Sequence, residues 1–142
     1  MTKFNFSKIE KKWINWICYF LLILNNTTYA GNNKIFIRDC YDGDTCTSLL
    51  GEKIRLACID TPEIKGKNSE PKQALLVRNY LNKLIKNQEV SIKRITSDRY
   101  GRTVAELYKD KLNIQKHLVD VGLAKIYKKY AFQCEWTKDF VK

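Results

Sequence analysis

An arginine set inside an apolar strand constrains this chain more than any other feature. Residues 54–59, Ile54-Arg55-Leu56-Ala57-Cys58-Ile59, are apolar except for Arg55, which suits a buried strand. A guanidinium in such a run is strongly unfavourable unless it meets an anion. Pro62 cannot donate to a strand ladder, so the strand is predicted to end near Asp60. Asp60, Thr61 and Glu63 then lie at a strand mouth. Strict alternation puts Arg55 and Asp60 on opposite faces. For both to serve one site, the strand must bend or finish before Asp60. Just upstream, Asp42-Gly43-Asp44-Thr45 adds two carboxylates in a turn-forming stretch.

The N-terminal stretch has the order of an export signal. Lys8, Lys11 and Lys12 precede an apolar run over 13–24, followed by Thr28-Tyr29-Ala30. That run falls short of the roughly 20 residues that span a bilayer. Residues 1–30 are therefore expected to be a signal peptide and 31–142 one domain; a retained membrane anchor is the other reading of 1–30. Cys40, Cys46, Cys58 and Cys134 follow the leader. An even count after an export signal suggests disulfides. Four cysteines allow three complete pairings. Cys40 and Cys46 flank the 42–45 turn and could meet across a hairpin, which leaves Cys58 with Cys134; four buried thiols are the alternative. The spacings do not suit zinc, because there is no Cys-x-x-Cys pair and His117 is the sole histidine. A lone histidine also excludes mechanisms built on a histidine pair. The formal net charge of +11 suggests a polyanionic partner, nucleic acid or an anionic membrane surface, although a solvated surface fits charge alone.

Patterning after the leader predicts strands over 34–41, 45–50, 54–60, 90–93 and 103–108. Pro71 in the first turn opens a helix whose apolar stripe is Val77, Leu81, Leu84 and Ile85. Asn113 is placed to cap a second helix carrying Ile114, Leu118 and Val121, with Gly122 ending it. A last helix is expected to begin in 134–142. Five strands with a helix after the third suit an α+β, β-rich fold: a five-stranded barrel of the OB type with two or three helices.

Four blocks in order resemble the staphylococcal nuclease (thermonuclease) family. They are Asp42-Gly43-Asp44-Thr45; Arg55 leading into Asp60-Thr61-Pro62-Glu63; Asp98-Arg99-Tyr100-Gly101-Arg102; and Gly122-Leu123-Ala124-Lys125. The resemblance implies that Asp44, Asp60 and the Thr61 carbonyl hold Ca2+. Calcium takes about 6–8 oxygens, so such a set leaves room for water and a phosphate oxygen. Alone, Asp44 reads as a turn carboxylate bonding local N–H groups, and Thr61 as a turn-capping hydroxyl. The resemblance also implies that Glu63 is a general base and that Arg55 and Arg102 grip the phosphate. Without it, Glu63 reads as a surface glutamate and Arg102 as a solvated turn residue. Arg99 and Tyr100 resemble contacts to a terminal phosphate and its neighbouring nucleotide. Tyr127 and Tyr130 either stack on bases or cover the barrel. Lys128 falls where the family has a substrate-facing tyrosine. The family's final helix is longer than the stretch after Cys134, so compensation through Cys134 or marginal stability is expected.

The resulting expectation is a secreted, or periplasmic or envelope-bound, calcium-dependent nuclease. It would act on DNA and RNA without needing the 2′-OH, leave 3′-phosphate ends, and work as a monomer that meets a membrane only through an uncleaved leader. A noncatalytic nucleic-acid-binding module and a surface protein anchored by its leader are the alternatives. Degenerate relatives lose charged site residues, whereas Arg55, Glu63 and Arg102 are retained here.

Overall fold

The computed structural model describes residues 33–140; the expected leader lies outside the described residues. Lys34–Cys40 (β1), Thr45–Ser48 (β2) and Lys53–Leu56 (β3) form an antiparallel meander. Gln88–Ser97 (β5) pairs with β1 and with Thr103–Lys109 (β6). β6 then pairs with β3 in parallel, with Ile54 opposite Thr103 and Leu56 opposite Ala105. These five strands close a barrel, the OB-type arrangement expected from the pattern. Closure leaves its members few open edges.

Pro71–Ile85 (α1) starts on Pro71 and buries Ala74, Val77, Leu81 and Ile85, a helical stripe facing the barrel. The side chain of Asn82 clamps it to β1: Oδ1 accepts from the Cys40 N–H at 2.8 Å, and Nδ2 donates to the Cys40 carbonyl at 2.9 Å. Leu112–Asn113 (β7) leads directly into Ile114–Asp120 (α2). Asn113 caps α2 by accepting from the Lys116 N–H at 2.9 Å, and Gly122 beyond its end has φ +74°. Gln115 on α2 is fully buried and satisfies β6, accepting from the Leu107 N–H and donating to the Ala105 carbonyl. Of the expected apolar positions, Ile114 and Leu118 are buried and Val121 is exposed at the helix end. The main core joins Ile37, Ile54, Leu56, Ile59, Leu81, Ile85 and Leu107 with Ile114 and Leu118. Each such side chain contributes about 1.5–3 kcal/mol on burial.

Two expectations need correction. The strand over 54–60 is two strands, β3 and Ile59–Asp60 (β4), and β4 pairs with Lys125–Ile126 (β8) instead of continuing in the barrel. The segment after Cys134 holds no α-helix among the described residues; Lys128–Gln133 and Glu135–Asp139 are 3-10 turns. The Thr137 hydroxyl is shared between the Ala131 and Cys134 carbonyls, at 2.6 and 2.8 Å. A side chain that competes for carbonyls in this way disfavours a regular helix.

Both expected disulfides are present. Cys40–Cys46 joins directly paired residues of β1 and β2, and Cys58–Cys134 ties the end of the chain to the break between β3 and β4. Their sequence separations are 6 and 76 residues. Chain entropy then assigns about 2 kcal/mol to the short loop and about 4 kcal/mol to the long one. In urea unfolding, replacing Cys58 and Cys134 by Ala should therefore cost about twice as much stability as replacing Cys40 and Cys46. Equal losses would contradict this.

Candidate active site

The break between β3 and β4 brings Arg55 and Asp60 onto one side. The Ala57 N–H still reaches the Ala105 carbonyl at 2.9 Å, but Cys58 then turns to φ +65°. A non-glycine residue adopts that left-handed conformation only against a steric penalty. Three contacts hold it. Cys58 is bonded to Cys134, its carbonyl accepts from the Tyr127 N–H at 2.9 Å, and β4 is paired with β8. The Arg55 side chain folds over the bend and donates to the Leu56 and Ile59 carbonyls at 2.7 and 2.9 Å. It also meets its anions: Nη2 lies 3.2 Å from Asp44 and 3.9 Å from Asp60. The bend required by the sequence is therefore present, and it falls at Cys58.

Within the 42–45 turn, the two aspartates divide the work. Asp42 Oδ1 accepts from the N–H groups of Asp44 and Thr45 at 3.0 and 2.7 Å. The turn-carboxylate role that fits Asp44 on sequence grounds thus belongs to Asp42. Asp44 itself is only 5% exposed. Its Oδ2 accepts from the Thr61 hydroxyl at 3.0 Å and faces Arg55, while Oδ1 accepts from the Thr45 hydroxyl at 3.2 Å. Burial pushes its carboxyl up to about 6 against the opposing Arg55 charge, and Asp42 and Glu63 add to the rise. Gly43 lets the turn approach Thr61: a Cβ there would stand 2.6 Å from Val77 Cγ1 and 2.7 Å from Thr61 Oγ1.

Arg102 enters from the opposite wall on the turn between β5 and β6. Asp98 organises that turn, with Oδ1 accepting from the N–H groups of Tyr100 and Arg102 and Oδ2 from Arg102 Nε at 2.7 Å. Gly101, at φ +75°, makes the left-handed step that returns the chain to β6. Burial pushes the Asp98 carboxyl up, but the hydrogen bonds and charge of Arg102 and the Tyr100 N–H hold it below its usual range. Arg102 also donates to the Thr45 hydroxyl at 3.2 Å, which links this turn to the 42–45 turn.

These elements enclose a cleft of about 630 Å³. Asp44, Arg55, Asp60, Glu63 and Arg102 line it, as do Arg99, Tyr100, Tyr127 and Tyr130. Thr61 is buried behind Asp44 and is not part of the lining. Tyr100 is 68% exposed, and Arg99 lies over its ring at 4.8 Å. Tyr127 and Tyr130 meet edge to face at 5.2 Å, both about two-fifths exposed. Both line the cleft with part of each ring open to solvent. Lys129 lines the cleft and Lys128 does not. His117 is a packing residue, bonded through Nε2 to the Tyr80 hydroxyl at 2.7 Å.

The donor chemistry suits a hard cation. Asp60 is an exposed carboxylate and Asp44 a buried one, and both face Arg55. Three carboxylates, Asp42, Asp44 and Glu63, line one cleft, and Asp42 and Glu63 add to the rise that burial imposes on Asp44. Among the described residues no group of three or more His, Cys, Asp or Glu side chains could by itself hold a metal. An ion here would keep coordination positions for other oxygens, as a catalytic calcium requires.

Asp98 and Thr45 stand in the motif blocks of the sequence without a role of their own, and Lys129 stands in none; Asp98, three residues before Gly101, carries a readable turn signature.

Residues 53–142 match the family described as staphylococcal nuclease homologue. A protein from Haemophilus influenzae named "Uncharacterized endonuclease" is 38% identical over 94 residues, covering 63% of this chain and 50% of that protein. The chain thus spans about half the length of this relative. The family match begins at β3 and leaves out the 42–45 turn. Contact with Arg55 and Thr61 joins Asp44 to the matched region.

Gly43→Ala tests how tightly Thr61 is held. The added methyl must displace the Thr61 side chain, so stability should fall by about 1–3 kcal/mol, read as a lower urea midpoint at unchanged slope. A midpoint equal to that of the parent would show that Thr61 moves freely.

Proposed function

The chain belongs to the staphylococcal nuclease homologue family, and from that premise we propose that the cleft is the active centre of a calcium-dependent, sugar-nonspecific nuclease. The observation that carries this is the convergence of Asp44, Asp60 and Arg55 on one wall with Arg102 on the other. The name of the Haemophilus influenzae relative supports a nuclease, and the partly exposed tyrosines along the cleft support a nucleic-acid substrate.

Asp44, Asp60 and the Thr61 carbonyl would hold the calcium, which when bound supplies positive charge to the phosphate oxygens. Glu63, at the cleft and close enough to Asp44 to raise its carboxyl, takes a proton from the attacking water. The water oxygen bonds to phosphorus, the P–O5′ bond breaks with its electron pair on O5′, and O5′ takes up a proton from solvent, so the phosphate stays on the 3′ side. Arg55 and Arg102 are already oriented by protein acceptors, and their remaining N–H groups bind the equatorial oxygens as charge develops. None of these groups touches a 2′-OH by necessity, so DNA and RNA are both substrates. The two disulfides favour an oxidising compartment, consistent with export to the envelope or the medium.

The test is digestion of single-stranded DNA and of RNA with calcium and then with chelator. Cleavage should require calcium. Glu63→Gln should lower kcat by roughly 10²–10⁴-fold with little change in substrate binding. Asp44→Ala and Asp60→Ala should weaken calcium binding and activity together. Arg55→Lys and Arg102→Lys keep charge but lose the planar fork, so both should slow turnover. A folded parent that binds these strands with calcium but leaves them intact is a binding module, and the nuclease reading is then wrong.

A further inference from the structure

The cations of the cleft fall into two groups. Arg55 is paired with Asp44 and Asp60, and Arg102 with Asp98. Arg99 and Lys129 have no carboxylate partner among the described residues. Arg99 bonds the Tyr100 hydroxyl at 2.5 Å, and Lys129 Nζ sits 5.3 Å from the Tyr130 ring centroid. The two come from opposite walls, Arg99 from the turn between β5 and β6 and Lys129 from the 3-10 turn Lys128–Gln133.

Of the two lysines on that turn, one enters the cleft. Side chains three apart fall in line in a 3-10 helix. Tyr127, Tyr130 and Gln133 form such a row along the cleft, and Lys129 joins them beside Tyr130. Lys128 carries the same charge but is not part of the lining. Cys134, immediately after the row, is bonded to Cys58 at the bend, and the Tyr127 N–H donates to the Cys58 carbonyl, so the row is tied to the bend.

An uncompensated ammonium beside an exposed aromatic face matches one nucleotide of a strand: the ring takes the base, and the ammonium takes a phosphate next to it. We infer that Lys129 binds a phosphate adjacent to the scissile one, so that this cleft selects polynucleotide chains over small phosphodiesters. The inference rests on the cleft being the nucleic-acid site. An exposed, compact charge at this position acts on ground-state binding more than on the reacting phosphorus.

Three full-length proteins separate the possibilities: the parent, Lys129→Gln and Lys128→Gln. Kinetics are measured with calcium on a long single-stranded DNA and on a nitrophenyl diester of thymidine that has no second phosphate. Binding to the same DNA is followed in chelator across a salt series. Lys129→Gln should raise KM for the strand by roughly 2–5-fold, the range of one exposed ion pair, with kcat and the small diester unaffected. Its salt slope should fall by about 0.7, the value of one phosphate contact on a single strand, while Lys128→Gln leaves the slope unchanged. Equal slope changes in the two variants would overturn the inference, because they would reflect diffuse charge alone. So would an unchanged slope for Lys129→Gln, or an equal rise in KM on the small diester. If the parent binds the strand but never cleaves it, the nuclease reading fails and the salt series alone still decides the role of Lys129.

Discussion

The cleft depends on how the buried charge of Arg55 is satisfied. Its strand is otherwise apolar, and the guanidinium is tolerated because it meets Asp44 at 3.2 Å and two backbone carbonyls. The pairing works in both directions. Asp44 is buried, and without Arg55 and the Thr61 hydroxyl its ionised form would be less favourable still. Removing one member of such a pair leaves an uncompensated buried charge, typically a loss of about 3–5 kcal/mol. The same two groups are therefore needed for the fold and available for phosphate and cation chemistry.

The bend at Cys58 converts that local pairing into a site. A straight strand would send Asp60 to the far face. The left-handed residue redirects the chain, Arg55 covers the carbonyls at the bend, and the Cys58–Cys134 disulfide carries the constraint across to the 3-10 row with Tyr127, Lys129 and Tyr130. The opposing wall is built by Asp98, which fixes the turn of Arg102, and Arg102 in turn reaches Thr45 beside Asp44. The two walls are thus held by covalent and charge-assisted contacts instead of by loop packing alone.

Much of this was legible in the sequence, and the exceptions have physical causes. The barrel and both helices follow from period-two and helical stripes, because burial enforces those patterns. The need for a bend before Asp60 followed from alternation, but its position at Cys58 did not, since only long-range contacts hold a non-glycine residue there. Asp42 and Asp44 are equivalent in a turn motif; they differ because Arg55 and, 17 residues on, Thr61 reach Asp44. That Lys129 and not Lys128 lines the cleft depends on how the 3-10 turn is docked through the Cys58–Cys134 disulfide, a contact 76 residues apart in sequence, and the Thr137 hydroxyl that disfavours a helix beyond it acts on Ala131 and Cys134.

The central proposal is that Asp44 and Asp60 share one cation beside Arg55. Diffraction from crystals grown with calcium, recorded at a long wavelength where calcium scatters anomalously, tests it most directly. The expected result is one anomalous peak bounded by the carboxylates of Asp44 and Asp60 and the carbonyl oxygen of Thr61. A peak elsewhere in the cleft, or none at saturating calcium, would contradict it.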